Sequence, residues 1–368
     1  MKTNKIIINT KTKKYSIIFG TNILKKISKI LKFHNIFFEK CLVVIDKNIP
    51  TKFKLNLIRN LKVKYKFVYL FKANEKNKNY KNINKIHEIL FKKKFNRGDC
   101  VISFGGGITG DVVSFASSTF KRGIKFINIP STLLSIVDSS IGGKTGINNK
   151  YGKNLIGSFY QPDLVISDIK LLSSLPMREI ICGYAEILKS GLINSYKDFD
   201  FLDKNSNLIL KLKTPFIEKA IINSCKLKKK IIEKDEHEKN LRKVLNLGHT
   251  FAHAYESTLN FSKKLNHGEA VILGIKNAIK FSKNKKILSK EKYNLINNHI
   301  SKIKIKNKLN DLFKIKDLNK VINFMKSDKK NNSSKINLIL LKDFGKIVTN
   351  FQIKPIELKK FLISELKK

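Results

Sequence analysis

Long hydrophobic runs, paired cysteines and a secretion signal are all missing from this sequence. No apolar run approaches the roughly 18–20 residues that a helix needs to cross a bilayer, so we expect no membrane span. The N-terminal segment has neither the long apolar region nor the small-residue cleavage site of a signal peptide. The four cysteines, Cys41, Cys100, Cys182 and Cys225, form no CxxC pair. We therefore expect reduced, mostly buried thiols and a cytoplasmic protein.

Acidic residues and arginine are both scarce. The chain has 28 acidic residues against 75 basic ones, which gives a formal net charge of +47, yet only five of the basic residues are arginine. A nucleic-acid-binding protein more often concentrates arginine, whose planar group recognises phosphate and guanine. Lysines are instead spread along the whole chain among many Asn and Ile residues, as an A/T-rich genome would produce. We expect no nucleic-acid partner, although the charge should attract anionic substrates.

The distribution of apolar residues predicts two domains. A chain of 368 residues accommodates about two domains of ~100–200 residues each. Short apolar runs alternate with helical patterns up to Pro176, which is typical of an α/β domain with a parallel sheet. Long helical patterns follow. We predict an α/β domain over 1–176 and a mainly helical domain over 177–368.

The individual elements are predicted from the period of the apolar residues. Predicted strands cover 5–9, 15–19, 41–46, 67–71, 100–107, 126–130 and 164–168. Predicted helices in the first domain cover 22–32 and 80–94. The second domain is predicted to contain helices over 178–195, 215–234, 241–260, 267–284 and 289–300, and one short strand over 336–348.

Three of the seven histidines lie within residues 246–269. His249 and His253 are four residues apart, so a helix would place them on one face. His267 follows after a spacer long enough for the chain to turn back. Imidazole nitrogens suit Zn²⁺, and a catalytic zinc usually takes three protein ligands and keeps one position open.

A carboxylate would complete such a ligand set, and Glu186 in the segment GYAEILKSG is the candidate. The alternative is that these are ordinary surface or core histidines. Their clustering beside Gly248 and Gly268 favours the metal site.

A glycine-rich segment, FGGGITGDVVSF over 104–115, follows an apolar run and begins a helical pattern. Glycines let the backbone approach a pyrophosphate, and the first N–H groups of a helix attract anions. The spacing of Gly107 and Gly110 differs from the GxGxxG dinucleotide fingerprint. A tight strand-to-helix turn therefore remains the alternative.

A second glycine-rich stretch, residues 128–161, carries polar residues suited to anions. Lys144 and Lys153 could each hold a phosphate or a carboxylate, with Asp138 and Asn154 nearby in the sequence. In a chain so rich in lysine, a solvated surface position is the alternative for any one of them. The glycines around these two lysines favour a binding role.

Several of these segments together resemble the 3-dehydroquinate synthases of the sugar phosphate cyclase superfamily. The matching segments, which cover roughly 105–270, are FGGGITGDVVSFASSTFKRG, IPSTLLSIVDSSIGGKTGINNKYGKNLIGSFYQP, LPMREIICGYAEILKSG, NLGHTFAHAYE and HGEAV. The resemblance implies a Rossmann-like NAD-binding domain followed by a helical domain that binds metal and substrate. It also implies NAD⁺ and zinc, or cobalt, as cofactors, a small sugar phosphate as substrate and a homodimer.

The resemblance also implies roles for individual residues. The implied metal ligands are Glu186, His249 and His267. The implied NAD⁺ contacts are Asp46, Ala73, Asn74, Glu75, Lys76, Asn77, Lys78, Gly107, Ile108, Thr109, Gly110, Asp111, Ser131, Thr132, Lys144, Lys153, Leu171, Leu172, Ser173 and Ser174. The implied substrate and catalytic residues are Arg122, Asp138, Lys144, Lys153, Asn154, Lys189, Lys228, Arg242, Asn246 and His253, with Lys329 or Lys330 as a further contact.

The implied activity converts 3-deoxy-D-arabino-heptulosonate 7-phosphate to 3-dehydroquinate and phosphate, within the shikimate route to aromatic amino acids. It proceeds by transient oxidation, phosphate elimination, reduction and aldol closure, with no net change in the cofactor.

Three positions depart from the family pattern: Asn74 replaces a glycine, Ala252 replaces a glycine, and Ser131 replaces a threonine. No implied metal ligand or catalytic side chain is replaced.

Three other functions would explain parts of this pattern. Another sugar phosphate cyclase, or a metal-dependent polyol dehydrogenase of similar fold, would share the cofactor sites. The anion-holding residues, including Arg242 and Lys228, favour a substrate that has both a carboxylate and a phosphate. A dehydrogenase would release NADH, which separates it from a cyclase. DNA retention that survives Lys144→Ala would instead support a basic nucleic-acid-binding protein.

Overall fold

The computed structural model describes residues 3–326 and 335–367, and they divide between two compact units. The first unit consists of Met1–Pro176 and Lys228–His237. The second consists of Met177–Leu227 and Glu238–Lys368. The chain thus changes unit at Pro176, and a short later segment returns to the first unit. The functions expected of the two domains stay predictions at this point.

The described part of the first unit contains nine strands: β1 (Asn4–Asn9), β2 (Lys14–Gly20), β3 (Lys40–Asp46), β4 (Tyr65–Phe71), β5 (Cys100–Gly105), β6 (Lys125–Pro130), β7 (Ile147–Asn149), β8 (Gly152–Ile156) and β9 (Leu164–Asp168). Seven of them form one sheet in the order β1-β2-β9-β6-β5-β3-β4. Only the β1–β2 pair in this sheet is antiparallel. The expected parallel sheet is confirmed, while β7 and β8 form a separate hairpin.

Helices cover both faces of this sheet, which explains why its central strands are continuous apolar runs. The helices are α1 (Ile27–Phe33), α2 (Thr51–Asn60), α3 (Tyr80–Lys92) and α4 (Gly107–Thr119). Side chains alternate between the faces along β3. Val43 belongs to the core that includes Leu57 of α2, and Val44 to the core that includes Ile86 of α3.

The second unit is mainly helical, as expected. Its helices are α5 (Met177–Asn194), α6 (Tyr196–Leu210), α7 (Phe216–Lys234), α8 (His249–Thr258), α9 (His267–Asn284), α10 (Lys290–Lys302), α11 (Leu309–Leu312), α12 (Leu318–Lys326) and α13 (Pro355–Leu366). One hairpin, β10 (Ile336–Asp343) with β11 (Lys346–Ile353), accompanies them. The last residues of α7, from Lys228 on, belong to the first unit.

Two of the predicted elements are wrong. The predicted helix over 241–260 is a 3₁₀ turn, Leu241–Asn246, followed by α8, because Gly248 adopts a left-handed conformation with φ of 79°. The predicted single strand over 336–348 is instead β10 and the start of β11, reversed at Gly345, whose φ is 78°. Glycine favours such positive φ values because it has no Cβ.

All four cysteines are buried thiols, and no disulfide joins them, as expected. Among the described residues, no helix combines the length and the hydropathy that a membrane span requires.

The buried His299 of α10 makes stability sensitive to pH. Its Nδ1 lies 2.9 Å from Asp203 Oδ1 and its Nε2 lies 3.1 Å from the Tyr184 hydroxyl, and Lys302 also contacts Asp203. Burial lowers the pKa of His299, although Asp203 opposes this effect. The unfolded chain therefore binds this proton more readily, and stability is lost as the pH falls below about 6.5, the ordinary histidine value.

We expect His299→Asn to flatten this dependence, because asparagine can still donate to Asp203 but does not titrate. The measurement is the melting temperature between about pH 7.5 and pH 5.5, with chelator present so that metal binding plays no part. The exposed His237→Asn serves as the control. Parallel curves for wild type and His299→Asn would contradict the prediction.

Candidate metal centre and nucleotide site

Three helices of the second unit bring one carboxylate and two imidazoles together. Glu186 lies in α5, and His249 and His267 are the first residues of α8 and α9. One potential ligand atom from each residue lies within 4.8 Å of the others. Glu186 Oε1 is 3.5 Å from His249 Nε2 and 3.9 Å from His267 Nε2. The structure thus brings together the three residues that the sequence analysis selected as metal ligands.

Glycines allow these helices to approach so closely. A Cβ atom on Gly268 of α9 would lie 2.2 Å from the Cα atom of Cys182 in α5. A Cβ atom on Gly274 of α9 would lie 2.2 Å from the carbonyl oxygen of Gly248, which precedes α8. Any side chain at either position would push the helix backbones apart. The local sequence therefore permits contact at the two places where the donor-bearing helices meet.

Both imidazoles are oriented through their Nδ1 atoms. His249 Nδ1 lies 3.3 Å from the Leu247 carbonyl oxygen, and His267 Nδ1 lies 3.1 Å from Glu256 Oε2. Since a carbonyl or carboxylate oxygen only accepts hydrogen bonds, each Nδ1 acts as a donor, and in a neutral imidazole this leaves the Nε2 lone pair for a metal. This is the arrangement that orients metal-bound histidines in known sites.

The sequence analysis missed Glu256. It lies seven residues after His249 in the segment HTFAHAYE, so a helix places it two turns along the same face. That spacing was the available signal.

The electrostatics of the cluster suit a divalent cation. Burial, with Lys189 and the neighbouring histidines, lowers the pKa of His249 well below the ordinary value, so its imidazole is neutral. Lys189 pairs with Glu186 Oε2, while the buried Glu186 Oε1 accepts no hydrogen bond from any described residue. A buried carboxylate oxygen needs a polar partner. Two imidazole nitrogens and one carboxylate form a ligand set that zinc accepts.

Other predicted site residues lie near this cluster in the sequence, and His253 also lies near it in space. The exposed His253 ring lies 5.3 Å from the His249 ring and 6.4 Å from the His267 ring, measured between centroids. Arg242 is 3% exposed. Asn246 donates a 2.8 Å hydrogen bond to Glu238. The sequence analysis missed Glu238, because nothing in the segment DEHEKN distinguishes it from a solvated charged turn.

The strand order of the first unit reverses at β3. The next strand along the chain, β4, lies on one side of β3, and β5, which follows β4, lies on the other side. Ligands of parallel sheets bind at the carboxyl ends of the strands at such a point. Asp46 ends β3, and burial raises the pKa of its carboxyl group. Gly106, beyond β5, caps α4 without a side chain, which leaves the first N–H groups of that helix available to an anion.

A polar network connects three predicted contact segments within the first unit. The buried Lys78 donates 2.5 Å hydrogen bonds to Asp111 of α4 and to Asn154 of β8. Lys153 of β8 lies 3.1 Å from Glu75. Burial raises the pKa of Asp111, and the ammonium group of Lys78 opposes that effect. The network holds the β7–β8 hairpin against the loop after β4.

Asp138 and Lys228 form a second charged pair within this unit. The Lys228 ammonium group pairs with the Asp138 carboxylate and donates a 2.5 Å hydrogen bond to the Asp138 carbonyl oxygen. Lys228 is buried at the end of α7, which brings it back to the first unit. These two predicted substrate residues are therefore brought together.

Further predicted residues differ in their exposure and in their hydrogen bonds. Lys144 and Arg122 are exposed. Thr132 donates through its backbone N–H to the Ser135 hydroxyl, and Ser131 donates to the Gly105 carbonyl oxygen. The Leu171 and Leu172 side chains are buried, whereas Ser173 and Ser174 are exposed. Lys329 and Lys330 lie outside the described residues.

The residues predicted to bind NAD⁺ all belong to the first unit, and those predicted to bind the metal all belong to the second. The first unit holds the residues implied for NAD⁺ together with Arg122, Asp138, Asn154 and Lys228. The second unit holds Glu186, Lys189, Arg242, Asn246, His249, His253 and His267.

Solved structures of related fold include two cyclases. The structure of 2-deoxy-scyllo-inosose synthase complexed with carbaglucose-6-phosphate, NAD⁺ and Co²⁺ matches with a TM-score of 0.85 at 23% identity, over 99% of this chain and 100% of that one. ValA, the 2-epi-5-epi-valiolone synthase from Streptomyces hygroscopicus, with NAD⁺ and Zn²⁺ bound, matches with a TM-score of 0.84 at 20% identity, over 96% and 97% of the chains. At these identities the likeness establishes the fold.

Sequence comparisons identify the family. Residues 68–182 match the family model described as 3-dehydroquinate synthase N-terminal, and residues 183–331 match the one described as 3-dehydroquinate synthase C-terminal. The 3-dehydroquinate synthase of Pelagibacter ubique is 57% identical over 364 residues, which is 99% of both chains. The chain belongs to the 3-dehydroquinate synthase family.

Proposed function

We propose that this protein is a 3-dehydroquinate synthase, which converts 3-deoxy-D-arabino-heptulosonate 7-phosphate to 3-dehydroquinate and phosphate. The observation that carries the proposal is the cluster of Glu186, His249 and His267, in a chain that is 57% identical to a 3-dehydroquinate synthase over 99% of its length. Because phosphate leaves by elimination, the enzyme is a carbon–oxygen lyase. A cytoplasmic location and a homodimer remain predictions.

Glu186, His249 and His267 would hold the metal, which is zinc or cobalt. The donor set supports this role, since the His249 and His267 Nε2 atoms lie 3.5 and 3.9 Å from the buried Glu186 Oε1. When bound, the ion acts as a Lewis acid that polarises the oxygens of the substrate. The three protein donors leave a coordination position for that substrate.

The nucleotide site would take NAD⁺. The uncapped start of α4, the carboxylate of Asp46 at the switch point and the network of Glu75, Lys78 and Asp111 support this assignment. When bound, NAD⁺ would supply reversible hydride transfer. The first N–H groups of α4 would bind its pyrophosphate. The implied contacts at Leu171 and Leu172 would have to use the backbone, because both side chains are buried.

Several cationic residues would bind the anionic groups of the substrate. Lys228 is buried and oriented by Asp138, so its ammonium group is held in a fixed position. Arg242 is also buried, and its planar group suits bidentate contact with phosphate or carboxylate. Lys144, Lys153 and Asn154 would add further polar contacts. Such groups stabilise the departing phosphate by their charge.

His253 would make hydrogen bonds to the substrate or transfer a proton, since its exposed ring lies one helical turn from His249. Lys189 would neutralise part of the Glu186 charge, because it already pairs with that carboxylate. Neither residue needs to contact the metal in this proposal.

The proposed activity predicts phosphate release from the heptulosonate phosphate without accumulation of NADH. The measurement combines a phosphate assay with absorbance of NADH, with NAD⁺ and Zn²⁺ added and then with chelator present. A sugar phosphate that lacks a carboxylate is the control substrate. Steady growth of NADH would indicate a dehydrogenase instead, and turnover of the control substrate alone would indicate another cyclase.

Replacement of a proposed ligand should remove the metal and the activity together. His267→Ala deletes one of three donors, so we expect bound zinc to fall and turnover to be lost. Metal content is measured on the purified full-length protein by atomic spectroscopy. Wild-type metal content with full activity in this variant would refute the ligand assignment.

Loss of the charge beside His267 should weaken metal binding without abolishing it. Glu256→Gln keeps an acceptor for the His267 Nδ1 proton but removes the negative charge, so we expect the zinc dissociation constant to rise by about 10-fold, in the range known for such partners. Competition with a chromophoric chelator measures it, and the exposed Glu291→Gln is the control. Equal affinities for the two variants would contradict the prediction.

A further inference from the structure

The N-terminal ends of α5 and α9 are joined by a bidentate ion pair. Arg178, the second residue of α5, donates from Nε to Glu269 Oε1 at 2.9 Å and from Nη2 to Glu269 Oε2 at 2.5 Å. Glu269 is the third residue of α9. These two helices carry Glu186 and His267, so the pair connects the supports of two of the proposed metal ligands.

Both partners are fixed by further hydrogen bonds. Arg178 also donates to the carbonyl oxygens of Lys263 and Lys264, at 2.9 and 3.2 Å. Glu269 Oε2 accepts from the backbone N–H of Asn266 at 3.0 Å, and the Asn266 side chain accepts from the Glu269 N–H at 2.9 Å. This capping box immediately flanks His267. Arg178 therefore binds a carboxylate whose position relative to His267 is set by the helix start.

The pair is shielded from solvent on the carboxylate side. The Glu269 side chain is 3% exposed. Burial alone would raise the pKa of Glu269, but the hydrogen bonds from Arg178 and Asn266 outweigh it and hold the pKa below its usual value. Arg178 is one of five arginines among 75 basic residues. In a chain where lysine is the usual cation, the two-point contact explains why arginine is present, because lysine offers no planar fork.

The ion pair lies on the same helix, α5, as the proposed metal ligand Glu186, so a change at the pair can affect the metal centre. Arg178 precedes Cys182 by four residues, and Cys182 precedes Glu186 by four, so successive turns of one helix carry the three residues. Cys182 is where Gly268 makes its backbone contact with α5, and its Sγ accepts from the Gly268 N–H at 3.1 Å. The ion pair and this contact together fix α9 along the axis of α5.

We propose that Arg178 and Glu269 are positioning residues for the metal centre, which set the register of α9 on α5 and thereby the separation of His267 from Glu186. The inference rests on the proposed metal site. Without the two-point contact, α9 can shift along α5, and the His267 Nε2 atom moves relative to Glu186 Oε1, which lies 3.9 Å away in the structure. A pair that served only helix stability would leave the metal geometry unchanged when it was weakened.

The test uses the full-length protein, stripped of metal and titrated with Co²⁺, in wild-type, Arg178→Lys and Glu269→Gln forms. Arg178→Lys keeps the charge but loses the fork, and Glu269→Gln keeps the shape but loses the charge. We expect each variant to raise the Co²⁺ dissociation constant by about 10-fold or more and to change the visible absorption spectrum of the bound ion. Melting temperatures without metal report the purely structural effect.

Glu357→Gln, which weakens the Lys285–Glu357 pair in the same unit, is the matched control and should leave affinity and spectrum unchanged. Wild-type affinity and spectrum in both Arg178→Lys and Glu269→Gln would overturn the inference, even if their melting temperatures fell. If one variant does not fold, the other decides. Failure of the wild type to bind Co²⁺ more tightly than His267→Ala would instead refute the metal site itself.

Discussion

The burial of one carboxylate is the constraint around which the second unit is organised. Glu186 is 2% exposed, and a charge removed from water must find compensation in the protein or in a bound ion. Lys189 compensates one of its oxygens. The other oxygen lies near the Nε2 atoms of two imidazoles. The Nδ1 atom of each ring makes its hydrogen bond on the opposite side. The close helix contacts at Gly268 and Gly274 and the hydrogen bond from His267 to Glu256 help to hold these donor atoms within 4.8 Å of one another.

In the first unit, the polar residues are positioned by a different feature, the edge formed by the carboxyl ends of the parallel strands. The strands β3 and β5 are parallel neighbours, so Asp46 at the end of β3 and the start of α4 after β5 lie at the same edge of the sheet. Charged pairs then fix the polar side chains around that end: Lys78 holds Asp111 and Asn154, and Asp138 holds Lys228. The late segment Lys228–His237 contributes to this unit by its own contacts, since Glu236 accepts a 2.8 Å hydrogen bond from Gln161.

Local sequence patterns were sufficient for most of the fold. The strands β3, β5, β6 and β9 are continuous apolar runs, and the helices α5, α7, α9 and α10 follow long helical patterns. The spacing of apolar residues along the sequence was therefore enough to locate these elements. The spacing of apolar residues gave the wrong element where a single glycine changed the direction of the chain. Gly248 divides the expected helix over 241–260, and Gly345 reverses the expected strand over 336–348, because positive φ values interrupt both patterns. The proposed ligands Glu186, His249 and His267 were selected from residue type, spacing and family likeness.

The sequence by itself determined which residues could bind a metal, a nucleotide and an anion, because those choices depend on the chemistry of side chains and on short-range spacing. Only the tertiary structure decided which of them meet. The pairing of Arg178 with Glu269, of His267 with Glu256 and of Asn246 with Glu238 joins residues that no local period relates. Hydrogen bonds act over about 3 Å, whereas the chain brings distant residues within that range only after its helices have packed.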